Sequence, residues 1–122
     1  IITDQPERAI ASEMIREKLL NALGDEIPHG TAVIIESFKE RKDKDKNEMI
    51  SIRAEIFCER PSHKPIIIGK NGEMLKKIGS RAREDMERFF GVKVFLDLWV
   101  KVKENWRESA ATVANFGFKS EE

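Results

Sequence analysis

Residues 65–82 read PIIIGKNGEMLKKIGSRA. Three isoleucines run into Gly69-Lys70-Asn71-Gly72, and a lysine-rich helical pattern follows. Two glycines three apart let another backbone pass close, with no Cβ in the way. The free amides at the following helix start point outward with partial positive charge. Lys70 adds a full charge at the tip, and Asn71 can hydrogen-bond a sugar or phosphate oxygen. The isoleucines supply an apolar wall against which unstacked bases can lie. This combination suits a single-stranded nucleic-acid backbone better than a compact anion. A P-loop would need a longer glycine loop ending in Lys-Ser or Lys-Thr, and a dinucleotide fingerprint needs G-x-G-x-x-G in a βαβ unit. Neither occurs. A plain helix start with convenient glycines is the competing reading.

The surrounding composition is that of one soluble, charge-rich domain. The chain has 122 residues, 40% apolar and 36% charged, and no apolar run approaches the ~20 residues that span a bilayer. Its single cysteine, Cys58, excludes an internal disulfide and fits a reducing compartment, with the cytoplasm as the default. The formal net charge is zero, but its distribution is uneven. Residues 1–30 hold six acids against three bases, whereas residues 64–83 hold six bases against Glu73 alone. Because fields act over a Debye length of ~8 Å, such a local patch attracts phosphate whatever the total. The chain starts Ile1-Ile2-Thr3, without an initiator methionine, which points to a piece cut from a longer protein.

Working outward from the loop, Asp4, Pro6 and Glu7 signal a helix start. Ile10, Met14, Ile15, Leu19, Leu20 and Leu23 recur at helical spacing, predicting a helix over roughly residues 6–23. TAVIIESFKE, residues 31–40, and MISIRAEIFCE, residues 49–59, read as an antiparallel hairpin. The charged run 41–48 between them reads as a flexible surface loop. Two short helices are expected after the glycine loop, the first carrying Leu75 and Ile78, broken by Gly79. The second carries Ala82, Met86, Phe89 and Phe90, and Gly91 caps it. KVFLDLWVKVK, residues 93–103, alternates as a strand. A last helix is expected over roughly 104–114. The order α-β-β-α-α-β predicts an α+β fold: a three-stranded mixed sheet with helices packed on one face, plus a C-terminal helix.

A Gly-x-x-Gly turn between an αββ run and an ααβ run resembles the KH module of prokaryotic type II topology, whose GXXG loop clamps about four nucleotides of backbone. SHKPIIIGKNGEMLKKIGSRAREDMERFFGVKVFLDLWVKVKENWRE closely resembles the C-terminal KH domain of the Era family of bacterial ribosome-assembly GTPases. PERAIASEMIREKLL resembles the helix that opens that domain, and ANFGF its aromatic-ended tail. The match spans essentially the whole chain, residues 1–122. It implies single-stranded RNA as partner, near the 3′ end of small-subunit ribosomal RNA, and hence the small ribosomal subunit. It also implies a GTPase domain, absent here, that controls the RNA surface, with GTP and magnesium belonging to that missing part and no cofactor in this chain. The family is further described as associating with the inner membrane surface, and a monomer is expected. The alternatives are a regulatory domain docking on the GTPase core or a ribosomal protein, or another type II KH RNA-binding protein.

By residue match, Gly69, Lys70, Asn71 and Gly72 form the RNA clamp, with Glu73, Leu75, Lys76 and Lys77 on the helix behind it. Ile67, Ile68 and Leu75 are expected to line the apolar groove, with at least one of the three consecutive isoleucines in the core. Arg81 and Arg83 are expected to contact phosphate. Phe95 and Trp99 lie on the charged face of the last strand. There they could stack bases, be covered by a C-terminal helix bearing Trp106 and Val113, or meet the GTPase domain. His29 and His63 read as isolated surface residues and Cys58 as an inert buried thiol. No Ser/His/Asp set or acid pair has a catalytic neighbourhood, so the chain reads as non-catalytic.

Overall fold

A computed structural model describes residues 5–104. The elements are α1 (Gln5–Leu23), β1 (Ala32–Lys42), β2 (Glu48–Cys58), α2 (Lys64–Ile68), α3 (Glu73–Phe90) and β3 (Lys93–Val102). The strands form one mixed sheet in the order β1-β2-β3, with β1 and β2 antiparallel and β2 and β3 parallel. Parallel pairing requires a crossover, which α2 and α3 provide. The fold is therefore the α+β arrangement expected from the residue pattern. The expected C-terminal helix lies outside the described residues.

The core sits between the sheet and the two long helices. Ile50, Ile52, Ala54, Ile56 and Cys58 alternate along β2 and are all buried, which is what the central strand of a one-sided sheet requires. Ala11, Ile15, Leu19 and Leu23 bring one stripe of α1 onto this layer, and Ile78, Ala82 and Met86 do the same for α3. Lys18 Nζ reaches Asp85 Oδ2 at 2.6 Å and ties the two helices together. The hairpin tip is a built turn at residues 43–47. Asp43 Oδ1 accepts the N–H groups of Asp45 and Asn47, both at 2.9 Å. The strands consequently run further towards the tip than the charged run implied.

Two local readings are corrected. Gly79 does not break a helix: α3 runs unbroken from Glu73 to Phe90. A Cβ on Gly79 would lie 3.7 Å from Leu98 Cδ2, an ordinary contact, so the packing of β3 does not demand a glycine here. The other helix of the expected pair is the isoleucine run itself, α2, with Pro65 in its first turn. The two helices thus flank the glycine loop. Among the described residues, no helix is long and apolar enough to cross a membrane.

Candidate nucleic-acid interface

The loop joining α2 to α3 is held open by positive backbone angles. Gly69 adopts φ 78°, ψ 174°, Asn71 φ 56°, ψ 24°, and Gly72 φ 75°, ψ 10°. The first is a conformation essentially restricted to glycine. Gly69 N–H donates to Pro65 O at 2.8 Å and closes α2, while Gly72 N–H donates to Gly69 O at 3.1 Å and closes the turn. The two glycines do different jobs. A Cβ on Gly69 would lie 2.5 Å from Met74 Cβ, so that position is packed shut. A Cβ on Gly72 would meet nothing within 4 Å, so that position faces open space. Gly72 is also the N-cap of α3 and offers no side chain to occupy the first-turn amides. Glu73 N–H turns back to Lys70 O, and the rest of the first turn has no side-chain cap.

The loop opens into a cleft of about 350 Å³ between α3 and β3, lined by Gly72, Leu75, Lys76, Gly79, Ser80, Arg83, Leu96 and Leu98. Positions 72, 75, 76, 79, 80 and 83 fall on one helical stripe. Small residues in its middle leave the space, and the half-buried leucines of β3 form an apolar floor. No carboxylate is among the lining residues. Arg83 is positioned from behind: Nη1 is 3.0 Å from Glu87 Oε1, and Glu87 Oε2 accepts Val94 N–H at 2.9 Å. Lys70 and Lys76 are exposed, so their charge can follow a ligand's backbone. The arrangement provides a cleft with a leucine floor, cations along one lip and a helix start without a side-chain cap at one end.

Several expected site residues take other places. Gly72, Leu75, Lys76 and Arg83 line the cleft, and Lys70 and Asn71 stand exposed at its end. Ile67 does not line a groove: it is fully buried in the core, because α2 turns that side of the isoleucine run inward. Ile68 is half-buried and packs against the core, while Ile66 is the exposed member of the three. Lys77 and Arg81 are exposed on another flank of α3 and are not part of the cleft. At about 100° per residue they are turned well away from Lys76 and Arg83. Gly79, Ser80, Leu96 and Leu98 were missed. The signal for the first two was their spacing of three and four from Lys76 and Arg83. Leu96 and Leu98 lie on the core face of β3 between Val94 and Val100 and carry no separate mark.

The opposite face of the sheet carries Phe95 and Trp99, both exposed. The Arg53 guanidinium lies 4.7 Å from the Trp99 ring centre and also pairs with Asp97 at 3.3 Å. Glu55, nearly buried on this face, is held by Lys101 at 2.8 Å. Trp106 and Val113, expected to cover this face, lie outside the described residues. Cys58 is buried as expected, and burial pushes its thiol pKa up. His63 departs from the surface reading: it is half-buried, and its Nδ1 is enclosed without a hydrogen-bond partner among the described residues.

A Gly-x-x-Gly loop between two helices beside a helix–strand cleft is the build of a KH domain, and comparison with known proteins agrees. Residues 26–107 match the family model for the KH domain, so the chain belongs to the KH domain family. It is similar to the GTPase Era of a Thermoanaerobacter species, 56% identical over 117 residues that cover 96% of this chain and 38% of that protein. The corresponding protein of Clostridioides difficile is 57% identical over 118 residues, covering 97% and 39%. The chain thus spans somewhat more than a third of the length of these relatives. Among solved structures, Era in complex with MgGDPNP and nucleotides 1506–1542 of 16S ribosomal RNA superimposes with a TM-score of 0.78 at 43% identity. It covers 97% of this chain and 38% of the Era chain. An Era variant from Aquifex aeolicus bound to GDP and AlF4− gives 0.77 at the same identity and coverage.

Proposed function

We propose that this chain is an RNA-binding module that takes unpaired RNA into the cleft between α3 and β3. The observation that carries the reading is the empty approach at Gly72, which lies at the mouth of a carboxylate-free cleft. The RNA backbone passes over Gly72 and the first-turn amides of α3. Lys70, Lys76 and Arg83 neutralise its phosphates. Bases lie against Leu75, Leu96 and Leu98, with Gly79 giving them depth, and are read at their exposed edges. Because few phosphates are engaged, binding is modest and salt-sensitive, with a slope near −0.7 per contact. The similarity to Era with bound 16S ribosomal RNA supports the 3′ region of small-subunit RNA as the ligand. It also supports a place in small-subunit assembly. GTP, magnesium and nucleotide hydrolysis belong, on this reading, to a GTPase domain outside this chain, which itself carries out no chemistry.

A fluorescence-anisotropy titration of a short unpaired RNA ending like small-subunit ribosomal RNA tests this. Lys70→Asp combined with Asn71→Asp should abolish binding while the protein stays folded, and the wild type should prefer the single strand to a duplex. Equal binding by both proteins would remove the loop from the interface. A second reading, a docking face for the GTPase domain or a ribosomal protein, is favoured by exposed Phe95 and Trp99. Trp99→Ala would lower partner binding and spare RNA binding if it holds.

A further inference from the structure

A second cleft, of about 700 Å³ against about 350 Å³ for the first, opens between α1 and α3 on the side of α3 away from the glycine loop. Ile10 and Met14 of α1 and Phe89 of α3 give it an apolar lining. Phe89 is 58% exposed, the most of any large apolar side chain among the described residues. Its ring stands edge-on to Phe90 at 5.2 Å between centres, which fixes its direction. The outer side of α1 continues this surface with exposed Leu20. The core fully buries the stripe Ala11, Ile15, Leu19 and Leu23 and takes one side of Met14 and Ala22, which leaves Ile10 and Leu20 outside it. A helix apolar on more than one side is normally covered on more than one side.

The charge around this cleft specifies what covers it. Glu13 and Glu17 stand on its α1 side. Its one base, Arg88, is ion-paired to Asp85, which also holds Lys18 at 2.6 Å. Lys18 also pairs with Glu17 at 3.0 Å, so three acids, Glu13, Glu17 and Asp85, meet two bases. The groove keeps one net negative charge, centred on Glu13, which disfavours a phosphate backbone. We propose that the α1–α3 cleft is a protein-docking groove for a helical segment with apolar anchors flanked by lysine or arginine. Two parallel ridges with a gap between them receive a third helix by ridge-into-groove packing. The anchors sit between Ile10, Met14 and Phe89, and the flanking bases pair with Glu13 and Glu17. The RNA cleft is left free, so both ligands can be held at once. The inference does not depend on the RNA reading.

The test uses two labelled model helices of about five turns, one with leucine and lysine at helical spacing and one with glutamate replacing lysine. Titrated with the whole chain at low salt, the lysine peptide should bind at least about tenfold more tightly than the glutamate peptide. Glu13→Lys plus Glu17→Lys should reverse that order. Phe89→Ser, a change at an exposed position, should weaken the lysine peptide severalfold, and Lys70→Asp plus Asn71→Asp should leave it unchanged. Equal affinity for both peptides, or no response to the Glu13/Glu17 change, would overturn the proposal. So would a concentration-dependent dimer in sedimentation that Phe89→Ser dissolves, because the groove would then belong to a second copy.

Discussion

The two long sides of α3 are made from the same kinds of residue and do opposite things. Towards β3, positions 72 to 83 present glycine, serine, leucine, lysine and arginine, and the cations there face no carboxylate across the cleft. Towards α1, Asp85 and Glu17 are paired with Arg88 and Lys18, and Glu13 leaves a surplus of one acid. One helix therefore separates a cationic slot from an acidic groove by about half a turn. The small residues shape the first: Gly79 and Ser80 leave room in its middle, and a Cβ on Gly72 would meet nothing within 4 Å. The difference teaches that one helix can carry opposite local charge on its two sides while the chain's formal net charge is zero.

The largest expected effect lies at the loop that feeds the cationic side. Gly69→Ala should destabilise the fold by about 3 kcal/mol, since it meets both a glycine-only conformation and the Met74 side chain. Gly72→Ala pays only the left-handed strain, about 1 kcal/mol. Urea titrations of both should show this ordering, and RNA titrations should show Gly72→Ala losing affinity out of proportion to its stability. Equal destabilisation would mean that the two glycines share one role.

Gly79 separates stability from binding within the cleft. Gly79→Leu should lower RNA affinity by about tenfold or more by filling a slot worth one stacked base. Gly79→Ala should raise stability by about 0.5–1 kcal/mol, because its Cβ has ordinary clearance from Leu98 and helical glycine is costly. A destabilised alanine variant in thermal melts would show that the cleft floor is closer than 3.7 Å allows.

On the acidic side the effect is smaller and depends on pH. The side-chain hydrogen bond from Lys18 holds the Asp85 carboxyl below its ordinary 3.8, and Lys18 is held above its ordinary 10.5, chiefly by the bond to Asp85. A lowered carboxylate stabilises the fold above its unfolded-state value and loses that contribution as pH falls through the folded value. The raised lysine contributes in full below 10.5 and loses it as pH rises through its folded value. Asp85→Asn should therefore cost up to about 1 kcal/mol at neutral pH for this partly exposed pair. Its stability should converge on the wild type well below pH 3.8. A constant gap across that range in urea melts would assign the cost to packing.

How much of this was legible follows from which forces are local. β2 and β3 declared themselves because strict alternation is a property of the strand alone. The glycine loop declared itself because positive φ demands glycine wherever the chain goes. Gly79 misled because a mid-helix glycine reads as a breaker, whereas α3 is held through it by the core contacts of Ile78, Ala82 and Met86. The isoleucine run reads as a groove wall with at least one member in the core; which member turns inward, Ile67, is set by the packing of the short helix α2. Lys76 and Lys77 could not be told apart, because the phase of a helix is set by what it packs against. The groove between α1 and α3 left only a faint trace, the apolar residues spread around α1.

The most direct measurement compares two charge reversals on opposite sides of α3. Lys76→Glu with Arg83→Glu changes the cleft, and Lys77→Glu with Arg81→Glu changes net charge by the same amount outside it. Affinity for the single-stranded RNA is measured over a salt series, with circular dichroism confirming that each protein is folded. The first pair should lose binding by at least about tenfold and flatten the salt slope by about 0.7 for each phosphate contact removed. The second pair should shift affinity severalfold at low salt and converge on the wild type as salt rises. Equal losses from the two pairs at every salt concentration would contradict the account, because RNA would then be following the charge of the whole helix and not the cleft beside Gly72.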